Sequence, residues 1–159
     1  MATVEHDISI QSGSYEDIDA VMLVMDSAFG RQFGEAWTRS QLAGILPMTG
    51  VSLMLARQAH SGEAIGFSLV RTVEDEAELL LLAVLPACHR RGVGGRLLEQ
   101  FLRQARKDGV ARLHLEVRDG NPAIDMYRSA GFAPIGRRRN YYHGENGRRF
   151  DAITFVHQL

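Results

Sequence analysis

The chain has 159 residues, 45% apolar and 23% charged, as expected of one globular domain (residues 1–159) with a real core. Its longest apolar run, residues 79–85, is far too short to span a bilayer, and residues 1–10 carry Glu5 and Asp7 and no apolar signal core, so neither a membrane partner nor export is expected. The net charge of −1 hides an asymmetry: residues 1–80 hold 4 arginines against 12 acidic residues, a net of −8, while residues 81–159 hold 14 basic against 7 acidic, a net of +7.

Residues 6–11 alternate and predict a first strand. Ser14 and Asp17 have capping-box spacing, and Ile18, Val21, Met22, Met25 and Phe29 continue at helical spacing. A glycine-bounded loop covers residues 30–35. Thr38 and Gln41 form a second capping box for a short helix that Pro47 ends, with Trp37 read as core at its start. Residues 51–57 and 64–73 read as strands joined at Ser61-Gly62, an antiparallel hairpin. Next come the apolar strand at residues 79–85, Pro86, a polar turn with His89, Arg90 and Arg91, the glycines Gly92, Gly94 and Gly95, and a helix to Lys107. Gly109 stops that helix. Residues 110–117 alternate, with Leu113, Leu115 and Val117 on one face and His114, Glu116 and Arg118 on the other. Two strands joined by one helix are predicted to be parallel neighbours. Asn121 caps a short helix with Pro122 as its first residue, and Gly131-Phe132 closes it as a Schellman motif. Strands at residues 132–142 and 148–157 finish the chain around the turn 143–147.

The strand, glycine turn and helix carry the chemistry. A helix that starts on glycines offers unpaired N–H groups, and without Cβ atoms the backbone approaches a ligand closely. That predicts an anion site, for phosphate or pyrophosphate. The competing reading is a turn that packs a helix tightly on a strand. A Walker loop is excluded, because Gly95 is followed by Arg96 and Leu97. So is a Rossmann turn, because Leu97 stands where its third glycine belongs. The basic half around the turn suits a polyanionic cofactor, and equally a nucleic acid. Cys88 is the only cysteine; it permits no internal disulfide and suits a reducing cytosol. The six histidines lack metal-ligand spacing, so no metal is expected.

Together, Arg-Arg-Gly-Val-Gly, the Leu-Glu-Val-Arg strand, the Asn-capped helix and Met-Tyr-Arg-Ser-Ala-Gly-Phe resemble the GNAT superfamily of acetyl-CoA-dependent N-acetyltransferases over about residues 78–132. Within it the chain is most similar to the RimI-like ribosomal-protein alanine N-acetyltransferases. The added cues are Glu35-Ala36-Trp37-Thr38, Leu115-Glu116-Val117-Arg118, and Arg139-Asn140-Tyr141-Tyr142 with Asp151-Ala152. The resemblance implies an α/β fold, a mixed and mostly antiparallel sheet splayed between the fourth and fifth strands, with helices on both faces. It implies a cytoplasmic enzyme that binds acetyl-CoA and acetylates a primary amine by direct attack. The implied acceptor is the N-terminal alanine of a small-subunit ribosomal protein, with no direct nucleic-acid partner. A small-molecule amine, a lysine, or a non-catalytic acyl-CoA-binding role are the alternatives.

The family's pyrophosphate loop falls on His89, Arg90, Arg91, Gly92, Val93 and Gly94, with His in place of the usual Gln or Arg. The resemblance assigns cofactor contacts to the N–H groups of residues 91–96, so to Gly95 and Arg96 as well, and places Asn121 near the cofactor. It assigns backbone pairing with the pantetheine arm, and an oxyanion N–H, to Leu82, Ala83 and Val84. It makes Glu116 the base and Tyr127 the acid that protonates the thiolate. From the residues alone, Glu116 also reads as a partner of Arg112, Arg118 or His114, and Tyr127 as core. Residues 30–35 and 141–147 are implied to flank the acceptor. Glu35 and Glu145 read as solvated surface, with contact to the substrate's amine or to a nearby basic side chain as the alternative.

Overall fold

The structure, a computed structural model, describes residues 7–159. The predicted first strand begins on His6, which lies outside them, as does most of the N-terminal stretch read for a signal. Seven strands form one sheet: β1 (Ile8–Gly13), β2 (Val51–Gln58), β3 (Ala64–Val73), β4 (Glu76–Val84), β5 (Arg112–Arg118), β6 (Ala133–His143) and β7 (Arg149–Gln158). Their spatial order is β1-β2-β3-β4-β5-β7-β6. Every neighbouring pair is antiparallel except β4 and β5, which are parallel. The helices are α1 (Ile18–Ala28), α2 (Arg39–Ile45), α3 (Val93–Lys107) and α4 (Ala123–Ser129). No helix among the described residues is long and apolar enough to cross a membrane.

Local chemistry sets the helix ends. Thr38 and Gln41 exchange both bonds of a capping box, at 2.8 and 3.2 Å. Asp17 accepts from the Ser14 N–H at 2.9 Å, opening a short 3-10 turn ahead of α1. At the end of α4, Phe132 N–H donates to Tyr127 C=O at 3.1 Å and Gly131 N–H to Arg128 C=O at 3.0 Å. Those are the two bonds of a Schellman motif, with Gly131 at φ +103° and the Phe132 ring against Tyr127.

The helices cover both faces. Val21, Val24 and Met25 of α1 and Leu42 of α2 pack on Leu53, Leu55, Phe67, Leu69 and Leu81. On the other face Leu98, Phe101 and Leu102 of α3 pack with Leu79, Leu113, Leu115 and Phe155. Each such side chain stabilises the fold by about 1.5–3 kcal/mol on full burial. Leu79 and Leu81 are two apart, yet they belong to opposite faces. A bulge explains it: Leu69 pairs with Leu81 and Val70 with Leu79, leaving Leu80 without an opposite number on β3. The parallel pairing of β4 and β5 ends at the same level, at Leu79 and Leu115. Beyond it the two strands are no longer paired, and a cavity opens in the split between them.

Candidate active site

A cavity of about 620 Å³ opens in the split. Leu82, Ala83 and Val84 of β4 line one wall, and Glu116, Val117 and Arg118 of β5 line the facing one. The β5 side of residues 80–84 has no strand partner, so that edge is available to a ligand's amides. His89, Arg90, Gly92, Val93, Gly94 and Gly95 close one end. Asn121, Met126 and Tyr127 enter from the α4 side, and Glu35, Trp37, Tyr141 and Tyr142 complete the lining.

The anion turn differs in detail from its sequence reading. Helix α3 starts at Val93, two residues earlier than the glycines suggest, because Gly92 takes the left-handed conformation at φ +77° and acts as its N-cap. Gly94 and Gly95 therefore lie inside its first turn. The first ladder bond runs from Arg96 N–H to Gly92 C=O at 3.0 Å. This leaves the N–H groups of Val93, Gly94 and Gly95 as the orphan donors of the helix start. Arg96 drops out of the predicted donor set: its N–H is in the ladder, and its guanidinium donates to Ile8 C=O at 2.7 Å. The Arg91 guanidinium donates to Cys88 Sγ and to the Gln58 side chain, and Arg91 is not among the residues that line the cavity. His89 Nε2 donates to Val84 C=O at 3.0 Å, so its ring braces the turn on the end of β4. Arg90 holds φ +65°, a left-handed value for a residue with a Cβ.

Glu116 and Tyr127 line the same cavity. The Glu116 carboxylate pairs with Arg138 of β6, Nε to Oε1 2.5 Å. None of the partners offered by sequence, Arg112, Arg118 or His114, holds it. Arg112 pairs instead with Glu76, and Arg118 with Glu35. Tyr127 is 6% exposed. Burial pushes its hydroxyl well above the ordinary tyrosine range, and the charge of Glu35 adds to the effect. Tyr142 is raised in the same way, by burial first and Glu35 second. Both hydroxyls therefore stay protonated at neutral pH.

Glu35 departs from the reading the sequence favoured for it. It is not solvated surface: its side chain is 12% exposed and sits 3.3 Å from Arg118 Nε, itself 9% exposed. Asn121 Nδ2 donates to its other oxygen at 3.0 Å, while Asn121 Oδ1 caps α4 by accepting from Ala123 N–H at 2.8 Å. The Arg118 guanidinium also lies 3.5 Å from the centre of the Phe33 ring. Phe33 meets Phe150 edge to face, and Glu145 N–H donates to Gln32 C=O at 3.3 Å. The loops at residues 30–35 and 141–147 thus touch each other beside the cavity. Trp37 packs against the α1 cluster and also lines the cavity, so core is half of its role.

Residues 22–132 match the acetyltransferase (GNAT) family. The chain belongs to that family. It is 45% identical over 98 residues to the [ribosomal protein bS18]-alanine N-acetyltransferase of Escherichia coli (strain K12), and 39% over 97 residues to that of Haemophilus influenzae. Each match covers 61% of this chain and 66% of the relative, just under two thirds of its length. The crystal structure of the ribosomal-protein-S18-alanine N-acetyltransferase from E. coli superposes with a TM-score of 0.86 at 33% identity, covering 96% of this chain and 94% of that one. Such an overlap places the split sheet, both helical layers and the β6–β7 hairpin within the family fold.

Proposed function

We propose that this protein is an acetyl-CoA-dependent N-acetyltransferase whose acceptor is a protein N-terminus, the N-terminal alanine of a ribosomal protein. The observation that carries the reading is the split between β4 and β5, with an unpaired strand edge, orphan helix N–H groups and a carboxylate–tyrosine pair in one cavity. Acetyl-CoA fits that cavity. Its volume is that of a small-molecule site, and the first turn of α3 suits a pyrophosphate. The Gly94 position faces Leu82, Val84 and Met126 with no side chain of its own in the way.

Bound acetyl-CoA supplies an activated acyl carbon and a thiolate leaving group. Glu116 accepts the proton that the acceptor ammonium must lose before it attacks. Tyr127, kept protonated by burial, gives its proton to the departing sulfur. An N–H of the bulged segment of β4 meets the oxygen that gains charge. Val93, Gly94 and Gly95 hold the pyrophosphate, and Asn121 fixes the start of α4 and with it Tyr127. An α-amine titrates near 8 and a lysine near 10.4, so one carboxylate deprotonates the former with less help. The relatives of this name act on bS18 alanine, which supports the same acceptor class. A cytoplasmic location goes with it.

The test is competition between two peptides of equal length with purified protein and acetyl-CoA. One has a free N-terminal Ala and blocked lysines; the other is N-acetylated with one free lysine. Preferential turnover of the first is expected. Preference for the second, or for a small polyamine over both, overturns the acceptor assignment. Coenzyme A binding with no turnover on any amine overturns the enzyme reading.

A further inference from the structure

We propose that Asp151 is a positioning residue for Glu116, acting through a bulge in the edge strand β6. The proposal rests on the reading of Glu116 as the base. In the β6–β7 pair, Arg138 stands opposite Ala152 and Tyr142 opposite Phe150. Four steps along β6 thus match two along β7, and the surplus is taken up between Arg138 and Tyr142. Asn140 sits in that surplus at φ +53°, in the left-handed region. Its N–H, which has no place in a regular ladder, donates to Asp151 Oδ1 at 2.9 Å. Arg137 bonds the other oxygen of Asp151 at 2.9 Å and reaches Asp119 at 2.7 Å.

The bulge has a consequence at the base. In a regular strand, residues three apart point to opposite faces. Arg138 and Tyr141 are three apart, yet they share a face: the Arg138 guanidinium lies 5.7 Å from the centre of the Tyr141 ring, and Tyr141 lines the same cavity as Glu116. Arg138 Nε pairs with its carboxylate, and the Tyr141 hydroxyl is raised first by burial and then by the charge of that same carboxylate. Removing the surplus residues' conformation returns one of the two to the far face. The bonds that hold it all meet on Asp151. Bonding to the Asn140 N–H and to Arg137 lowers that carboxylate below its ordinary range, so it stays an ionised acceptor. Arg137 and Asp151 are solvent-facing, where an ion pair contributes little to stability. The value of this one lies in geometry.

The experiment is a double-mutant cycle on the full chain, with far-ultraviolet circular dichroism to verify folding. Asp151→Ala is expected to lower kcat about tenfold with the KM for acetyl-CoA unchanged. In the E116Q background the same substitution should lower kcat no further, because the group it positions is gone. Asn140→Val, which resists a positive φ, should reproduce Asp151→Ala, while Asn140→Gly should keep wild-type turnover. An equal loss from Asp151→Ala in both backgrounds, or no loss in either, overturns the proposal. Wild-type turnover of E116Q alone overturns the base assignment instead, and the two failures are thereby told apart.

Discussion

Arg118 Nε lies 3.3 Å from a Glu35 oxygen, and both side chains are about nine-tenths buried although 83 residues separate them in sequence. This pair fastens the α1–α2 loop to the end of β5. Breaking it from one side strands a buried charge. Glu35→Ala is therefore expected to destabilise the fold by about 3 kcal/mol, a fall of roughly 6–12 °C in Tm at this size. Replacing both partners, as E35M with R118M, should cost clearly less, because nothing charged is then left unpaired. Denaturant titration of the three variants decides it, and equal losses for single and double variants would reject the account.

The sequence told a good deal about this fold, and its silences have physical causes. Capping boxes, the Schellman end of α4, both hairpins and the parallel β4–β5 pair were legible because each is written in local residues: Thr38 with Gln41, Gly131 before Phe132, one helix between two strands. The Leu80 bulge was not. Residues 79–82 are all leucine, so no alternation exists for a bulge to interrupt. The β6 bulge hides likewise in Arg-Arg-Arg-Asn-Tyr-Tyr, where every residue suits an exposed edge. Glu35 was misread because its partners, Arg118 and Asn121, are remote in sequence. Glu116 and Tyr127 were nominated by family resemblance, and the fold brings both to one cavity. The partner of Glu116, Arg138, belongs to a strand whose register only the bulge sets.

Gly94 offers a clean probe of the cofactor end. A Cβ built there meets Met126, Leu82 and Val84 side-chain atoms at 3.6–3.7 Å, ordinary contact distances, so the fold accommodates a side chain. Its backbone needs no positive φ. Gly94→Asp should thus remain folded while placing a negative charge beside the orphan N–H groups. Coenzyme A affinity should fall at least tenfold, about 1.4 kcal/mol, by calorimetry. Unchanged affinity in the folded variant would remove the pyrophosphate from this turn.

At the other end, Glu116→Gln should lower kcat and flatten the rise of rate with pH, since the proposed proton acceptor is lost while its shape is kept. Tyr127→Phe should lower kcat with little effect on coenzyme A affinity. Steady-state kinetics at saturating acceptor read both. If both variants keep wild-type turnover, neither residue handles a proton, and the base and acid assignments fall together.

The last expectation concerns tyrosine ionisation. The chain has 4 tyrosines, and three of them, Tyr127, Tyr141 and Tyr142, are raised above the ordinary value with burial as the leading cause. An unfolded tyrosine ionises near 10. Between that value and the folded one, the native state holds protons that the unfolded state has released. Stability is therefore complete below pH about 10 and falls as pH rises further. Absorbance near 295 nm should show far less tyrosinate at pH about 10.5 in the folded protein than in urea, and a sharp gain on alkaline unfolding. Tyr127→Phe should make the loss of stability above pH 10 shallower, because one of the protons retained only by the native state is gone. An identical tyrosinate fraction with and without urea would mean that these hydroxyls are open to water, and Tyr127 would lose its claim to be a guarded proton donor.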